Sequence, residues 1–244
     1  DTNSEPEEFT TEDDIQLPNS GFEDWYTDSD GLPKPAKDAS SSFWDCGNVN
    51  YFGKHIMTTQ DDETALGQGS SVKMETQETM KIIAAGNIFT GTFERDGMGG
   101  ILTLGRNFEC RPNKLKGYYK YTSAKVSVSK GHLNEGEDDL CSLYIALTDE
   151  QITVNTNKGI YFDPNSSAVI AYGSISDEES KGADSFQEFA VDLEYKDLKR
   201  IPKYIIVVAS SSKYGDYMEG GKGSTMWLDD LELVYPKSME EVRK

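Results

Sequence analysis

Short segments in which apolar and polar residues alternate recur along the chain from Ile15 onward, and they restrict the fold more than any other feature. A period of two residues is typical of strands, and no run of a dozen residues has the periodicity of an amphipathic helix. Polar, turn-rich stretches separate the segments at the spacing usual in sandwiches. The sequence therefore predicts an all-β fold, an antiparallel β-sandwich, with strands expected at 81–93, 100–104, 116–128, 140–148, 152–155, 167–174, 186–193, 204–211 and 225–235.

Two of these segments have distinctive patterns. Residues 204–209 form the most continuously apolar run, so we expect this strand to be central and covered on both faces. The last segment contains two adjacent acids, Asp229 and Asp230, where alternation predicts apolar residues. Strict alternation places Trp227 and Leu231 on one face and Leu228 on the other. Because a bare buried carboxylate is costly, the two acids must be solvated, hydrogen-bonded or neutralised by a cation.

Length and charge limit the domain count and the partners. A chain of 244 residues fits one all-β domain, which we place at 15–237. The net charge of −19 argues against nucleic acid or an anionic membrane surface as the partner. No apolar run approaches the roughly 20 residues of a membrane helix. Residues 238–244 are expected to form a C-terminal tail.

The N-terminal residues have the composition of a spacer. Residues 1–14 contain seven acids and no base, so they cannot bury enough surface to offset chain entropy, and we expect a disordered tail. An acidic, Ser/Thr-rich start is typical of exported bacterial chains. We therefore expect an extracytoplasmic protein, secreted or held at the cell surface or in the periplasm as a lipoprotein with a lipid anchor in the outer membrane.

Several types of catalytic and metal site are disfavoured. The three cysteines are far apart and lack a CxxC pattern, so small buried thiols are expected, with one disulfide as the alternative. His55 and His132 are the two histidines, and neither lies in HExxH. No Gly-x-Ser-x-Gly elbow or phosphate-binding loop occurs. Glycoside hydrolysis needs only two suitably placed carboxylates and stays open.

Motifs at both ends and in the middle resemble carbohydrate-related proteins. Residues 19–25, NSGFEDW, and 227–233, WLDDLEL, resemble the opening and closing strands of calcium-stabilised jelly-roll carbohydrate-binding modules. Residues 85–91, 111–121 and 210–224 are similar to the putative carbohydrate metabolism domain of secreted Bacteroidetes proteins. The resemblance implies a jelly roll with a structural calcium held by Glu23 and by Asp229 or Asp230, since calcium prefers oxygen ligands. The alternative is that these acids lie in a solvated turn and a salt-bridged strand edge.

Sugar binding by a sandwich needs exposed rings for the apolar faces of the sugar and polar groups for its hydroxyls. Lys120 indicates that Tyr118 faces outward, and the loop at 212–217 carries two tyrosines and an acid at a glycine turn. For each tyrosine the alternative is a ring that caps the core. The candidate ligand-binding residues are Trp44, Arg111, Tyr118, Tyr119, Tyr121, Tyr214, Asp216 and Tyr217.

The leading hypothesis is an exported, non-catalytic accessory module for glycan binding or glycan processing, with a polysaccharide or another glycan as its partner. One alternative is a glycoside hydrolase whose two carboxylates come from acids such as Asp216, Glu219, Glu94 and Asp96. Another is a purely structural or adhesive sandwich. A groove with exposed rings but without two facing carboxylates favours binding, whereas two carboxyl groups roughly 5 to 9 Å apart across a cleft favour hydrolysis.

Overall fold

The computed structural model describes residues 15–236, so the tails predicted at 1–14 and 238–244 lie outside the described residues. The strands in chain order are β1 (Tyr26–Thr27), β2 (Pro33–Lys34), β3 (Trp44–Asp45), β4 (Val49–Asn50), β5 (Lys54–His55), β6 (Thr58–Asp61), β7 (Ser71–Glu75), β8 (Gln77–Thr79), β9 (Ile82–Ala84), β10 (Asn87–Asp96), β11 (Gly99–Leu104), β12 (Arg106–Asn107), β13 (Lys114–Thr122), β14 (Ser142–Thr148), β15 (Ile152–Asn155), β16 (Val169–Ser174), β17 (Gln187–Asp192), β18 (Glu194–Tyr195), β19 (Tyr204–Ser210) and β20 (Thr225–Val234). Within 15–236, four single 3₁₀ turns are the helical elements, and no helix is long and apolar enough to cross a membrane.

Two antiparallel sheets form the sandwich. The large sheet has the order β15-β11-β10-β19-β14-β16-β18, with β3 paired to β10 and β12 paired to β19. The small sheet has the order β17-β13-β20-β7-β6. Strand β19 lies between β10 and β14, and its residues Ile205, Ile206 and Val207 are fully buried. The predicted central position of the apolar run 204–209 is therefore confirmed.

The main core fills the space between the sheets. Leu143, Ile145 and Leu147 of β14 face Leu115 and Tyr119 of β13 across the sandwich, all within one buried cluster. Each fully buried leucine or isoleucine contributes about 1.5 to 3 kcal/mol relative to an exposed one. The thiols of Cys46 and Cys141 are buried, and the cysteines of the described residues form no disulfide.

The outer face of the large sheet is also apolar. Phe89, Leu102, Leu104 and Val154 belong to a second buried cluster, which lies on the face that points away from the small sheet. A sheet that is apolar on both faces must be covered on both. Here hairpins and loops supply the outer cover, and they leave part of the face open.

A β-bulge in β20 corrects the predicted face pattern. Lys116 of β13 lies opposite Glu232, but Tyr118 lies opposite Asp229, so β20 holds one extra residue opposite Gly117. Asp230 takes the left-handed conformation with φ of 47°. The extra residue reverses the alternation, so Leu228 and Leu231 both enter the core. The prediction that Trp227 and Leu231 share a face is wrong for this reason.

The chain start runs beside β20 without forming a ladder. The Gln16 side chain and the Leu233 backbone exchange two hydrogen bonds of 2.8 and 2.7 Å, and Leu231 N donates to Ser20 O at 3.0 Å. Residues 19–22 form a turn rather than the opening strand that the resemblance implies. The two ends of the domain are nevertheless joined.

The nine predicted strands are all present, with their ends displaced by a few residues. The segment 81–93 divides into β9 and β10 because the chain turns at Gly86, where a Cβ atom would lie 2.3 Å from Glu75 N. The strands before residue 81 were not predicted. They are two to five residues long and mostly polar, so they lack an alternation that can be recognised.

Candidate functional site

A groove of about 540 Å³ lies on the outer face of the large sheet. Its floor follows from strand alternation, because residues two apart on β10, β11, β14 and β19 point to this face. Phe89 pairs with Val208, which in turn pairs with Tyr144, so the floor continues across three strands. The apolar floor residues are Phe89, Phe93, Leu102, Leu104, Tyr144 and Val208.

Four chain turns form the walls of the groove. The β4–β5 hairpin contributes Tyr51 and Phe52, the β8–β9 hairpin contributes Met80, and the β10–β11 turn contributes Met98. The loop after β19 contributes Asp216. These residues are far apart in sequence, and only the packing of the turns over the sheet brings them together.

Asp216 is the acid that lines the groove among the described residues. Its half-buried carboxyl group has no hydrogen bond or ion pair with any described residue, and burial raises its pKa from 3.8 to about 6. Its loop packs tightly on the neighbouring wall, since a Cβ atom on Gly215 would lie 2.4 Å from Ala85 Cβ. The carboxyl group is therefore held in place with its hydrogen-bonding capacity unused.

A second cavity of about 290 Å³ adjoins the groove. The two share Ser142, Tyr144, Lys213 and Asp216, so Asp216 lies where they meet. Rings of Tyr161, Phe162, Tyr172 and Tyr217 line the second cavity. At its edge Asp177, whose side chain is 94 % exposed, pairs with Lys213 at 3.0 Å.

Glu219 lies three residues from Asp216 and anchors the loop. It is fully buried and accepts hydrogen bonds from Lys130 N at 2.6 Å, His132 N at 3.2 Å and Leu133 N at 2.6 Å. Burial acts to raise the pKa of Glu219, but the hydrogen bonds from Leu133, Lys130 and His132 outweigh it and the pKa is lowered. A carboxylate enclosed in this way cannot reach a substrate, so its role in the two-carboxylate alternative is wrong.

His132 connects this anchor to the tyrosines of the loop. Its Nδ1 lies 3.1 Å from Glu219 Oε2, and its ring stacks on Tyr214 with centroids 4.3 Å apart and planes 15° apart. Tyr217 lies 4.3 Å from the His132 ring and 4.0 Å from the Tyr161 ring. Of the three loop residues predicted to bind ligand, Asp216 and Tyr217 line cavities and Tyr214 supports the loop.

Three other ligand-binding candidates lie in the core, so their rings are not available to a glycan; for the tyrosines this is the core-capping alternative. Trp44 is fully buried on β3, where its Nε1 donates to Pro18 O at 2.7 Å. Tyr119 donates to Glu179 O at 3.0 Å, and burial raises its pKa to about 12. Tyr121 is 1 % exposed. The tyrosines share the inner face of β13 with Leu115, so their rings pack against the large sheet.

Tyr118 and Arg111 lie outside the two cavities. Tyr118 is half-buried on the outer face of the small sheet, opposite Glu188 and Asp229, as Lys120 predicted. The Arg111 guanidinium lies 5.5 Å from the Tyr195 ring centroid and donates to Arg200 O. The structure thus divides the predicted ligand set among the groove, the core and the opposite sheet.

The sequence analysis missed most of the groove residues, notably Tyr51, Phe52, Met80, Met98 and Tyr144. A signal was present for three of them: Phe52 precedes Gly53, Met80 follows a polar strand, and Met98 lies between glycines in a predicted turn. Large apolar residues at turns are expected to be exposed. Tyr144 gave no such signal, because a buried strand supplies it.

The predicted calcium ligands lie close together at the bulge. Glu23 accepts from Ser70 N at 3.1 Å and Ser70 Oγ at 3.0 Å, and Asp229 accepts from Ala65 N at 2.9 Å. Burial, with the nearby charges of Asp230 and Glu23, raises the pKa of Asp229 to about 6. Within residues 15–236 these three acids form no ion pair, so the salt-bridged alternative is wrong.

Side chains alone do not form a metal centre. Among the described residues no group of three or more His, Cys, Asp and Glu side chains is arranged to hold a metal ion. The uncompensated negative charge at the bulge fits a cation, but backbone or Ser70 oxygens would have to complete the coordination of calcium.

The two antiparallel sheets form a β-sandwich of the jelly-roll type. The chain belongs to the family described as "putative carbohydrate metabolism domain", whose model matches residues 18–234. A search of curated proteins gave no match.

Solved structures with this fold include two Bacteroides proteins described as putative glycoside hydrolases. The Bacteroides thetaiotaomicron protein is 25 % identical with a TM-score of 0.60, and the alignment covers 75 % of this chain and 58 % of that one. The Bacteroides vulgatus protein is 24 % identical with a TM-score of 0.59, covering 73 % and 77 % respectively. The carbohydrate-binding module TmCBM61, solved with β-1,4-galactotriose, is 9 % identical with a TM-score of 0.40, covering 90 % and 97 %.

Proposed function

We propose that this domain binds a neutral glycan in the groove on the outer face of the large sheet. The observation that carries the proposal is the composition of the groove, which combines the rings of Tyr51, Phe93 and Tyr144 with a single acid, Asp216. Rings accept the apolar C–H faces of a sugar, and a few polar groups fix its orientation. Two-carboxylate hydrolysis needs a second acid across the cleft, which this groove lacks among the described residues.

Charge favours a neutral ligand over an acidic one. Asp216 would repel a uronate carboxylate, and the net charge of −19 would oppose any polyanion at long range. The free carboxyl oxygens of Asp216 are instead suited to accept hydrogen bonds from sugar hydroxyls.

Glycan-array screening followed by calorimetry tests the proposal. Tyr51→Ala removes a groove ring and is expected to weaken binding about tenfold. The matched control is Tyr118→Ala, which removes a half-buried tyrosine from the opposite sheet and should leave affinity unchanged. Equal affinity of both variants and the unchanged protein, or absence of binding to every glycan, would contradict binding in this groove.

Hydrolysis is the second candidate, because the raised pKa of Asp216, about 6, suits a general acid. The described acids that could serve as the second carboxylate are poorly placed. Glu94 and Asp96 line neither cavity, and Asp177 at the edge of the second cavity is paired with Lys213. New reducing ends, released from a bound glycan by the unchanged protein but not by Asp216→Asn, would establish hydrolysis instead of binding alone.

We also propose a structural calcium ion at the bulge, held by Glu23 with Asp229 or Asp230. The proposal is supported by three clustered carboxylates without cationic partners and by the raised pKa of Asp229, which a bound cation would reverse. Chelation should lower the melting temperature of the unchanged protein. Glu23→Gln should abolish that response, whereas the neighbouring Asp24→Asn, whose carboxylate lies 3.8 Å from Lys37 Nζ, should keep it.

An unchanged melting temperature after chelation would rule the ion out. The extracytoplasmic location and the lipid anchor stay predictions from the sequence.

A further inference from the structure

Three large apolar side chains at the mouth of the groove are exposed to water. The exposed fractions are 93 % for Phe52, 89 % for Met80 and 58 % for Met98, and all three residues line the groove. They come from three separate hairpins: β4–β5, β8–β9 and β10–β11. Single exposed apolar residues are common, but their convergence on one cavity indicates an interaction site.

The backbone at two of these positions is unfavourable as well. Phe52 and Met80 both have φ of 52°, in the left-handed region where glycine or asparagine is usual. A bulky residue in this conformation is strained. At the two-residue β8–β9 turn Lys81 shares the conformation with φ of 65°, so the hairpin accounts for the backbone there, and the exposure of the Phe52 and Met80 side chains is what indicates a contact.

The cationic side chains around the groove already have partners, so they offer an acidic ligand little positive charge to bind. The Arg95 guanidinium lies 4.1 Å from the Tyr51 ring centroid and donates to Gly97 O, and Lys213 is paired with Asp177. Asp216 is the one group without a partner among the charged described residues of the groove. The floor and the mouth of the groove are therefore largely apolar, and among the described residues one carboxyl group, that of Asp216, lines it together with uncharged polar side chains such as Gln77 and Asn87.

Building on the proposed function, we propose that the groove prefers neutral glycans that carry apolar substituents, such as O-acetyl groups or the C6 methyl group of a deoxy sugar. The substituents contact Phe52, Met80 and Met98 at the mouth while the sugar ring lies on the floor. A plain hexose chain offers these side chains less apolar surface, because the C–H faces of its rings already lie on the floor.

Matched ligands test this preference directly. The first pair is an O-acetylated xylan and the same xylan after mild alkaline deacetylation, and the second is methyl D-fucoside and methyl D-galactoside, which differ in the C6 hydroxyl group. Each methyl group buried against the mouth should tighten binding about fourfold. The preference is measured as a ratio of dissociation constants, so it does not depend on absolute affinity.

Variants at the mouth connect the preference to these residues. Phe52→Ser, Met80→Ser and Met98→Ser should each reduce the ratio toward one, and the triple variant should bring it to one. The matched control is Ile201→Ser, since Ile201 is 67 % exposed but lines neither cavity. Because all four side chains are exposed, the variants are expected to fold.

The outcomes separate this inference from the proposed function. Binding of both members of each pair with equal affinity would overturn the substituent preference and leave glycan binding standing. Absence of binding to every glycan would overturn both. Binding to neutral phosphatidylcholine vesicles that the triple variant loses would show that the mouth contacts lipid, and would also overturn the preference.

Discussion

The surroundings of Asp216 in the groove wall and of Glu219 in the protein interior differ in their hydrogen-bond donors, although the two acids are only three residues apart. Glu219 is fully buried, yet hydrogen bonds lower its pKa, whereas Asp216 is half-buried and its pKa is raised to about 6. The difference lies in the donors: three backbone N–H groups and the His132 ring surround Glu219, and Asp216 has none among the described residues.

The comparison shows how two acids of one loop can have opposite environments. Local hydrogen bonding, more than depth of burial, decides which charge state a carboxyl group prefers. Glu219, with its hydrogen bonds satisfied, fixes the loop against the segment 130–133. Asp216 keeps its hydrogen-bonding capacity unused, which reduces stability and, under the proposed function, leaves the carboxyl group available to a glycan.

The largest expected effect is from Glu219→Gln. Glutamine replaces one carboxylate oxygen with an NH₂ group, which would then face backbone donors, so we expect a loss of about 3 kcal/mol in the free energy of unfolding. Chemical denaturation measures this, with Glu178→Gln as control because Glu178 is exposed and paired only with Lys181. A loss under 0.5 kcal/mol would show that the backbone donors around Glu219 do not need a charged acceptor.

An intermediate effect, a gain rather than a loss in the free energy of unfolding, is expected from Asp216→Asn. The folded state binds the Asp216 proton more tightly than the unfolded state, so the stability of the unchanged protein falls as pH rises from about 4 to about 6. The variant avoids this penalty and should be more stable by about 1 kcal/mol at pH 8, with the difference vanishing near pH 4.

Paired denaturation curves at the two pH values check this effect, with the exposed Asp184→Asn as control. A pH-independent difference would contradict the raised pKa of Asp216. The pH dependence from Glu219 has the opposite sign. Because its pKa is lowered in the folded state, its carboxylate stabilises the fold at pH values above its unfolded-state pKa, and this stabilisation is lost as pH falls through its folded-state pKa.

The smallest effect is expected from His132→Phe. Phenylalanine keeps the ring contacts with Tyr214 and Tyr217 but removes the Nδ1 contact with Glu219, whose three backbone donors remain, so the loss should be about 0.5 kcal/mol. His132→Ala also removes the stacking and should lose about 1 kcal/mol more. If both variants were equally destabilised in denaturation experiments, the rings would not contribute to holding the loop.

The positions of the main strands could be predicted because alternation is a local property. Residues 152–155 were predicted to the residue, and the central position of 204–209 followed from its continuous apolar run. The early strands β6 and β7 were not recognised because they are only four and five residues long and mostly polar, and β6 is held by its pairing with β7, which in turn pairs with β20. The outward position of Tyr118 followed from Lys120 in the same way.

The candidate site was harder to predict from the sequence than the fold. Asp216 and Tyr217, proposed because a glycine turn carries them, line the cavities, whereas the candidates Trp44, Tyr119 and Tyr121 lie in the core. Alternation shows which residues share a face of a strand, and it does not show which face meets the other sheet. The bulge at Asp230 reversed even that local pattern within β20.

The sequence by itself determined the all-β class and the positions of the main strands along the chain, because these depend on period-two patterning, and the resemblance of two short motifs indicated that the chain ends meet. Only the tertiary structure decided where the groove lies, since its mouth consists of Phe52, Met80 and Met98 from separate hairpins. It also decided that Glu219 would be enclosed and Asp216 left free. Hydrogen-bond donors distant in the chain make that difference, and no local pattern encodes them.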